Sequence, residues 1–472
     1  MEPRKDYDGP SLSTNSSNAP PMDHEKPSKG FLSSLFSKMP GRSNESTTLR
    51  PYDKSQDYLL GVRGCLVPMA FLWTFLQTFV PAAVKASANT TGETWELALR
   101  KSLSVLFWND TLIYGSIVFL SARTICVPFL LDPTKATLAG SVFRRGFSLW
   151  LPVAATLIIV YGVFTHAMGG NQYLVDFAAL TGNTSMITGL YIIPSSLANF
   201  NAIFMTFWIT YGFQTQAGSW AFPTQMLWII SVVFQQSYTV FMSMTIIPYT
   251  RQRWRVYGAF AFIATAWWVY SWAWYSITGL LIADAVMNMG MRPGQTGTSF
   301  SVGKLRVPFW SLGVLFMAAG FAMQFVWVAV RPDLMNEELY YHTGIYLTGG
   351  IQYGIDVSTA QIRADCYLII TGFWLILETS SILQAIFRNK FFVLLGRRSL
   401  SYFLTQSIII YTLGIKLATN TMNGDVSKLP RARGIAFVAS LLVSIAAAEA
   451  MYWVVERPSR WLGRKAWDWI RE

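Results

Sequence analysis

An all-α membrane protein is the fold class that this sequence predicts, and three observations predict it. Of the 472 residues, 52% are hydrophobic and 15% aromatic while only 13% are charged, and the mean hydropathy is +0.34, far from the balance of a soluble globular chain. Several apolar segments reach the roughly 20 residues that a helix needs to cross a bilayer core of about 30 Å, and a helix satisfies its own backbone where no water is present. The basic residues behind the net charge of +12 fall in short connections and in the C-terminal tail. That pattern sets topology and meets anionic headgroups rather than nucleic acid.

Residues 1–57 are rich in Ser, Pro, Asn, Lys and Asp. They carry too little apolar surface to order themselves and lack the apolar core of a signal peptide, so they read as a disordered cytosolic tail. Inside it GFLSSLFSKM, Gly30 to Met39, has a short apolar stripe of the kind that lies on a membrane surface. Residues 58–465 hold about ten candidate spans of membrane-crossing length, centred near residues 71, 113, 157, 203, 237, 269, 318, 377, 408 and 445. The longest connection, about Arg331 to Asp365, is polar and mildly acidic and is expected outside the cytosol as a cap. Residues 466–472 are a basic and aromatic C-terminal tail.

The Lys/Arg bias orients the chain. With the N-terminus inside, cytosolic loops hold Arg123, Lys135, Arg144 and Arg145, then Arg292, Lys304 and Arg306, then Arg388, Lys390, Arg397 and Arg398. Two basic loops, Thr250 to Arg255 and Lys428 to Arg433, fall on the wrong side, which points to a miscounted span near residue 203. Glycosylation sequons at Asn89 and Asn183 fall in loops placed outside.

An ionisable residue within a span costs about 2.5 to 3.5 kcal/mol on insertion scales and needs a partner or a watery cavity. The candidates are Arg63, Asp110, Arg123, His166, Asp284, Glu378, Glu449 and Glu456. Arg63 reads equally as a snorkelling anchor. Glu378 and Glu449 lie too deep for anchoring and are expected to pair with arginines, with catalysis as the other reading. His166 ends the third span, either as a solvated imidazole or as an acid–base group. Cys65, Cys126 and Cys366 lie far apart and form neither a metal site nor a disulfide framework. No phosphate loop and no metalloprotease or nucleophile-elbow motif is present, so neither a metal nor a bound cofactor is expected.

Five stretches in order resemble the acyltransferase 3 family of multispanning membrane proteins, in particular its fungal branch. YLLGVRG, Tyr58 to Gly64, resembles that family's YLDGLRG at Gly61, Arg63 and Gly64. FRRGFSLWLP, Phe143 to Pro152, is similar to its RRxxRLxLP at Arg144, Arg145, Leu149 and Pro152. LWIISVVFQQS, Leu227 to Ser237, is similar to LWTLPVEFRGS at Leu227, Trp228, Val232, Phe234 and Ser237. LGRRSLSYFLTQ, Leu395 to Gln406, resembles LGKISYSLYLVH, and VERPSRWLG, Val455 to Gly463, resembles the closing VEKPS. The departures fall on ionisable residues: the first-span histidine has no counterpart, Ser148 replaces the third arginine, Val233 the glutamate, Gln235 the next arginine, and Gln406 the histidine.

The resemblance implies an acyl transfer, which needs a base for the hydroxyl proton and a donor for the developing oxyanion. It makes acyl-CoA the cosubstrate and a hydroxyl of a lipid-like or secondary-metabolite molecule the acceptor, in a multi-pass protein of an endomembrane or the plasma membrane. Arg63, Arg144 and Arg145, with the aromatic frame of Trp228 and Phe234, are then the expected substrate-binding residues, because arginine grips phosphate in a forked geometry. His166 and Glu449 are the expected replacements for the lost base. Two other readings stay open: a non-catalytic membrane scaffold or transport-associated protein, favoured by the lost His and Glu, and a transporter, which fits the helix number but has no repeat signature.

Overall fold

The computed structural model describes residues 56–84, 92–182, 190–210, 212–302, 305–332 and 362–471, all within one compact unit, Lys54–Glu472. The N-terminal tail, both sequons and most of the expected cap lie outside the described residues. What is described is helical, apart from one short antiparallel hairpin, β1 (Ser299–Val302) and β2 (Leu305–Pro308). In chain order the helices that matter here are α1 (Asp57–Phe79), α2 (Asp110–Ile125), α3 (Lys135–Val160), α4 (Ser196–Trp208), α5 (Trp228–Ile246), α6 (Gln252–Trp268), α7 (Ala273–Asn288), α8 (Phe309–Phe325) and α9 (Ala364–Thr379). They are followed by α10 (Ser381–Phe387), α11 (Lys390–Arg397), α12 (Ser399–Ile409), α13 (Leu429–Met451) and α14 (Arg457–Arg471).

Seven helical stretches among the described residues are long and apolar enough to cross a membrane, or eight if the bent pair α9 and α10 counts as one span. The seven contain the expected centres at 71, 113, 157, 237, 318, 408 and 445. The remaining three centres explain the shortfall from ten. Near residue 203, α4 has only 13 residues, about 20 Å of helix. Near 269 the chain breaks between α6 and α7, with Tyr270 at φ 53°, so that each piece falls short. Near 377, Ser380 leaves the helix in extended backbone, caps Leu383 with its hydroxyl, and the axis turns by 103°.

The outward faces carry the membrane signature. Only 22% of the Phe309–Val330 span is buried within the protein although its hydropathy is 1.9, and Leu315, Leu442, Ile158 and Val438 stand exposed. Contiguous apolar surface of that kind needs an apolar solvent.

Helices cross closely where glycine removes the side chain. A Cβ on Gly61 would overlap the Phe387 carbonyl, one on Gly64 that of Phe392, and one on Gly396 that of Leu60, so α1 lies directly on the backbone of α10 and α11. Small residues let helices approach in this way where hydrophobicity alone gives no drive to associate.

Arg123, expected in a cytosolic loop, is instead fully buried. Its Nε donates to Glu378 Oε1 at 2.9 Å, while the Tyr58 hydroxyl donates to Glu378 Oε2 at 2.5 Å. This knot ties α1, α2 and α9 together, and the pairing expected of Glu378 is what makes the burial of both charges tolerable.

Candidate functional site

Seven residues of helix, two turns, separate Arg63 from Ala70, and both face the same cavity. The cavity has a volume of about 160 Å³ and is built from one face of each of several helices. From α1 it takes Arg63, Leu66, Val67 and Ala70, from α2 Ile117, Leu120 and Ser121, and from α3 Arg145, Ser148 and Leu149. α5 adds Ile230 and Val233, α12 adds Ser399, Leu400, Phe403 and Gln406, and α14 adds Arg460. These positions recur at three and four residues, the spacing of one helical face.

Hydrogen bonds fix the charged level. The Arg145 guanidinium donates through Nε to Ser237 Oγ at 2.9 Å and through Nη2 to Ser121 Oγ at 2.6 Å. Arg63 Nη2 donates to Thr124 Oγ1 at 3.2 Å. Ser121 and Thr124 are three residues apart on α2, so the two cations meet the same helix face within a turn of each other. Among the described residues no carboxylate lies within 4 Å of Arg145. Arg460 pairs with Glu456, which also accepts from the backbone amide and hydroxyl of Ser401.

Apolar residues fill the next two turns inward. α1 runs alongside the chain from α11 through α12 in one direction, with Gly64 against Gly396 of α11, Val67 clustered with Tyr402 of α12, and Phe79 beside Gly414 in the turn that follows α12. Val233 and Ile230 continue α5 away from Ser237. Gln406, only 1% exposed, ends the polar side of this interior, and its Nε2 has no hydrogen-bond partner.

The five stretches that carry the resemblance therefore meet here. The first crosses the fourth through Gly64 and Gly396, the fourth holds the fifth through Ser401 and Glu456, and the second holds the third through Arg145 and Ser237. The substituted positions Ser148, Val233 and Gln406 all line the cavity. Gln235 does not; its amide donates to the Phe207 carbonyl at 2.7 Å.

The expected site residues divide accordingly. Arg63 and Arg145 line the cavity. Arg144 turns away, donating to the Gly140 carbonyl at 2.8 Å and facing Arg464 and Asp468 of α14, because neighbouring residues on a helix point about 100° apart. Trp228 packs on Tyr114 and Trp272, and Phe234 on Phe207 and Tyr238. These rings sit behind the cavity wall and hold α5 in place.

His166 is exposed on a π-helical turn, Tyr161–Ala167, edge-on to Tyr161. Glu449 is held by Arg398 and by the Tyr402 hydroxyl at 3.4 Å. Neither lines the cavity, and the pairing of Glu449 with an arginine is the one expected of a carboxylate in a span. Sequence reasoning passed over Arg460, whose signal was its place four residues after Glu456, one helical turn. Ser121 and Phe403 carry no signal beyond helical spacing.

Among the described residues no three His, Cys, Asp or Glu side chains stand together as a metal site, and Cys65, Cys126 and Cys366 are free thiols. No protein-family model matches the chain, and no curated protein or solved structure matches it either.

Proposed function

We propose that the chain is a multi-pass membrane acyltransferase that moves an acyl group from acyl-CoA to a hydroxyl of a lipid-like or secondary-metabolite acceptor, in an endomembrane or the plasma membrane. One observation carries this reading: the five resembling stretches converge on a single cavity with arginines at one level and an apolar wall beyond them. In the transfer the acceptor oxygen bonds to the acyl carbon, the carbon–sulfur bond breaks, and the hydroxyl proton ends on the sulfur of CoA. The cations stabilise negative charge as it develops on the carbonyl oxygen, and the apolar wall receives acyl carbons and excludes water. A cavity of about 160 Å³ is smaller than the roughly 300 Å³ lower bound of pockets for drug-sized ligands.

Purified protein in detergent, given acyl-CoA and a hydroxyl-bearing lipid extract, is expected to release free CoA. Arg145→Ala should lower that rate at least tenfold, about 1.4 kcal/mol of transition-state stabilisation, and Arg145→Lys, which keeps the positive charge, should lower it less. Equal rates for parent and variant would remove Arg145 from the chemistry.

A second reading, a non-catalytic acyltransferase-like binding protein, is favoured by the absence of any His, Asp or Glu from the cavity lining among the described residues. It predicts ligand binding without CoA release in the parent. His166→Ala and Glu449→Gln separate the two: loss of turnover in either would assign a base that reaches the acceptor from outside the lining.

A further inference from the structure

Two arginines face each other across the contact between α3 and α14, and neither belongs to an ion pair among the described residues. The helices run antiparallel there. A Cβ on Gly140 would stand 3.0 Å from the Trp467 ring and one on Gly463 2.9 Å from Phe147, while the Phe143 and Trp467 rings lie 5.6 Å apart. That register sets Arg144 beside Arg464. Arg144 commits its Nε to the Gly140 carbonyl at 2.8 Å; its two terminal nitrogens and the exposed Arg464 guanidinium have no hydrogen-bond partner among the described residues. Asp468 stands near Arg144, but no carboxylate comes within 4 Å of either cation among those residues. Like charges repel at such range, and the packing of Phe143, Phe147 and Trp467 holds them together. An anion with several oxygens complements the pair, and phosphate is the one that guanidinium grips in a forked geometry.

The surroundings decide what carries the phosphate. In the π-helical turn between α13 and α14, Tyr452–Glu456, Trp453 is 51% and Val454 73% exposed, and the Arg457 guanidinium lies over the Trp453 ring at 4.6 Å from its centroid. Trp453, Arg457 and Arg464 recur at four and seven residues, one helical face. Before that turn α13 exposes Leu442 and Ile445. Tryptophan and basic side chains at the end of an apolar span mark the level where lipid chains give way to headgroups, and basic recesses between helices at that level bind anionic headgroups. A soluble phosphate would meet the cations alone, whereas a phospholipid meets both the cations and the apolar surface that precedes them.

We propose that the contact between α3 and α14 is a binding site for an anionic phospholipid, its phosphate held by Arg144 and Arg464 and its chains lying on the Trp453 side of α13. Neither arginine lines the cavity, so the site stands apart from the acyltransferase reading.

The test uses full-length protein in detergent and counts bound lipids by native mass spectrometry, with phosphatidic acid and phosphatidylcholine of the same chains as probes. Each basic side chain near an anionic lipid contributes about fivefold in affinity, so the parent should bind phosphatidic acid about 25-fold more tightly. Arg144→Gln and Arg464→Gln should each remove about fivefold of that preference, and the double variant nearly all of it. Arg251→Gln, which changes an exposed arginine just before α6, should remove none. Equal affinity of the parent for the two lipids overturns the site, and this comparison needs no variant to fold. A loss in Arg251→Gln as large as in Arg464→Gln overturns it as well, because the preference would then come from diffuse surface charge. Coenzyme A and inorganic phosphate carry the anion without lipid chains and should leave the bound phosphatidic acid in place at equimolar concentration; displacement by either would assign the two cations to a soluble phosphate and overturn the lipid as occupant.

Discussion

Arg123 and Glu378 illustrate how a membrane protein keeps a charge it cannot hydrate. Both are essentially without exposure, and Tyr58 contributes a third polar group at 2.5 Å from the carboxylate. Removing one partner leaves the other charged and buried, which costs about 3 to 5 kcal/mol, whereas replacing both with apolar groups of similar volume is close to neutral. Glu378→Ala is therefore expected to lower the unfolding temperature in detergent strongly, and Arg123→Met with Glu378→Leu to recover most of the loss. A double variant no more stable than Glu378→Ala would mean that the pair is needed for more than mutual neutralisation. Val233 and Gln406 make the complementary point: both line the cavity without a charge, one as apolar wall and the other as a buried amide.

At the scale of elements, the crossing of α1 with α10 and α11 decides where Arg63 points. Gly61, Gly64 and Gly396 bring backbone onto backbone, so any Cβ must push the helices apart and with them the Arg63 side of the cavity. Gly146 and Gly434 are glycines on α3 and α13 with no atom within 4 Å of an added Cβ. Gly64→Ala should thus be destabilising and Gly146→Ala neutral or stabilising by up to about 1 kcal/mol, the helix propensity difference. Thermal unfolding of the two variants in the same detergent checks the contrast; equal shifts would show that the close approach is not under constraint. The break at Ser380 belongs to this scale too, since the turn of 103° is what brings Phe387 against Gly61.

For the whole molecule, the apolar outward faces of α8 and α13 are the deciding feature. A chain with that surface should remain in the membrane pellet after alkaline carbonate extraction, and Leu442→Asp, placing a charge on the outward face of α13, should reduce insertion by the cost of a charge in a span, about 2.5 to 3.5 kcal/mol. Recovery of the parent in the soluble fraction would contradict the membrane reading.

Much of this protein was legible in its sequence. Composition and segment length alone place seven candidate spans correctly among the ten expected, because hydropathy over about 20 residues is a local property, and the pairing of Glu378 and Glu449 with arginines follows from the cost of an isolated charge in lipid. The order of the five stretches is likewise local information. Span breaks were not legible: the extended Ser380 and the positive φ of Tyr270 interrupt runs whose hydropathy is continuous, and only packing selects those conformations. The partners of each charge were not legible either. Arg123 reads as a loop cation until α9 supplies Glu378 across 255 positions. Arg144 and Arg145 read as one pair until α3 turns them onto different neighbours, and Gln406 reads as a lost histidine until the packing of α12 sets it in the wall of the same cavity as Arg63 and Arg145. Sequence determined which segments are apolar and which residues are costly there; the tertiary structure decided what each costly residue meets, because those encounters depend on helices far apart in the chain.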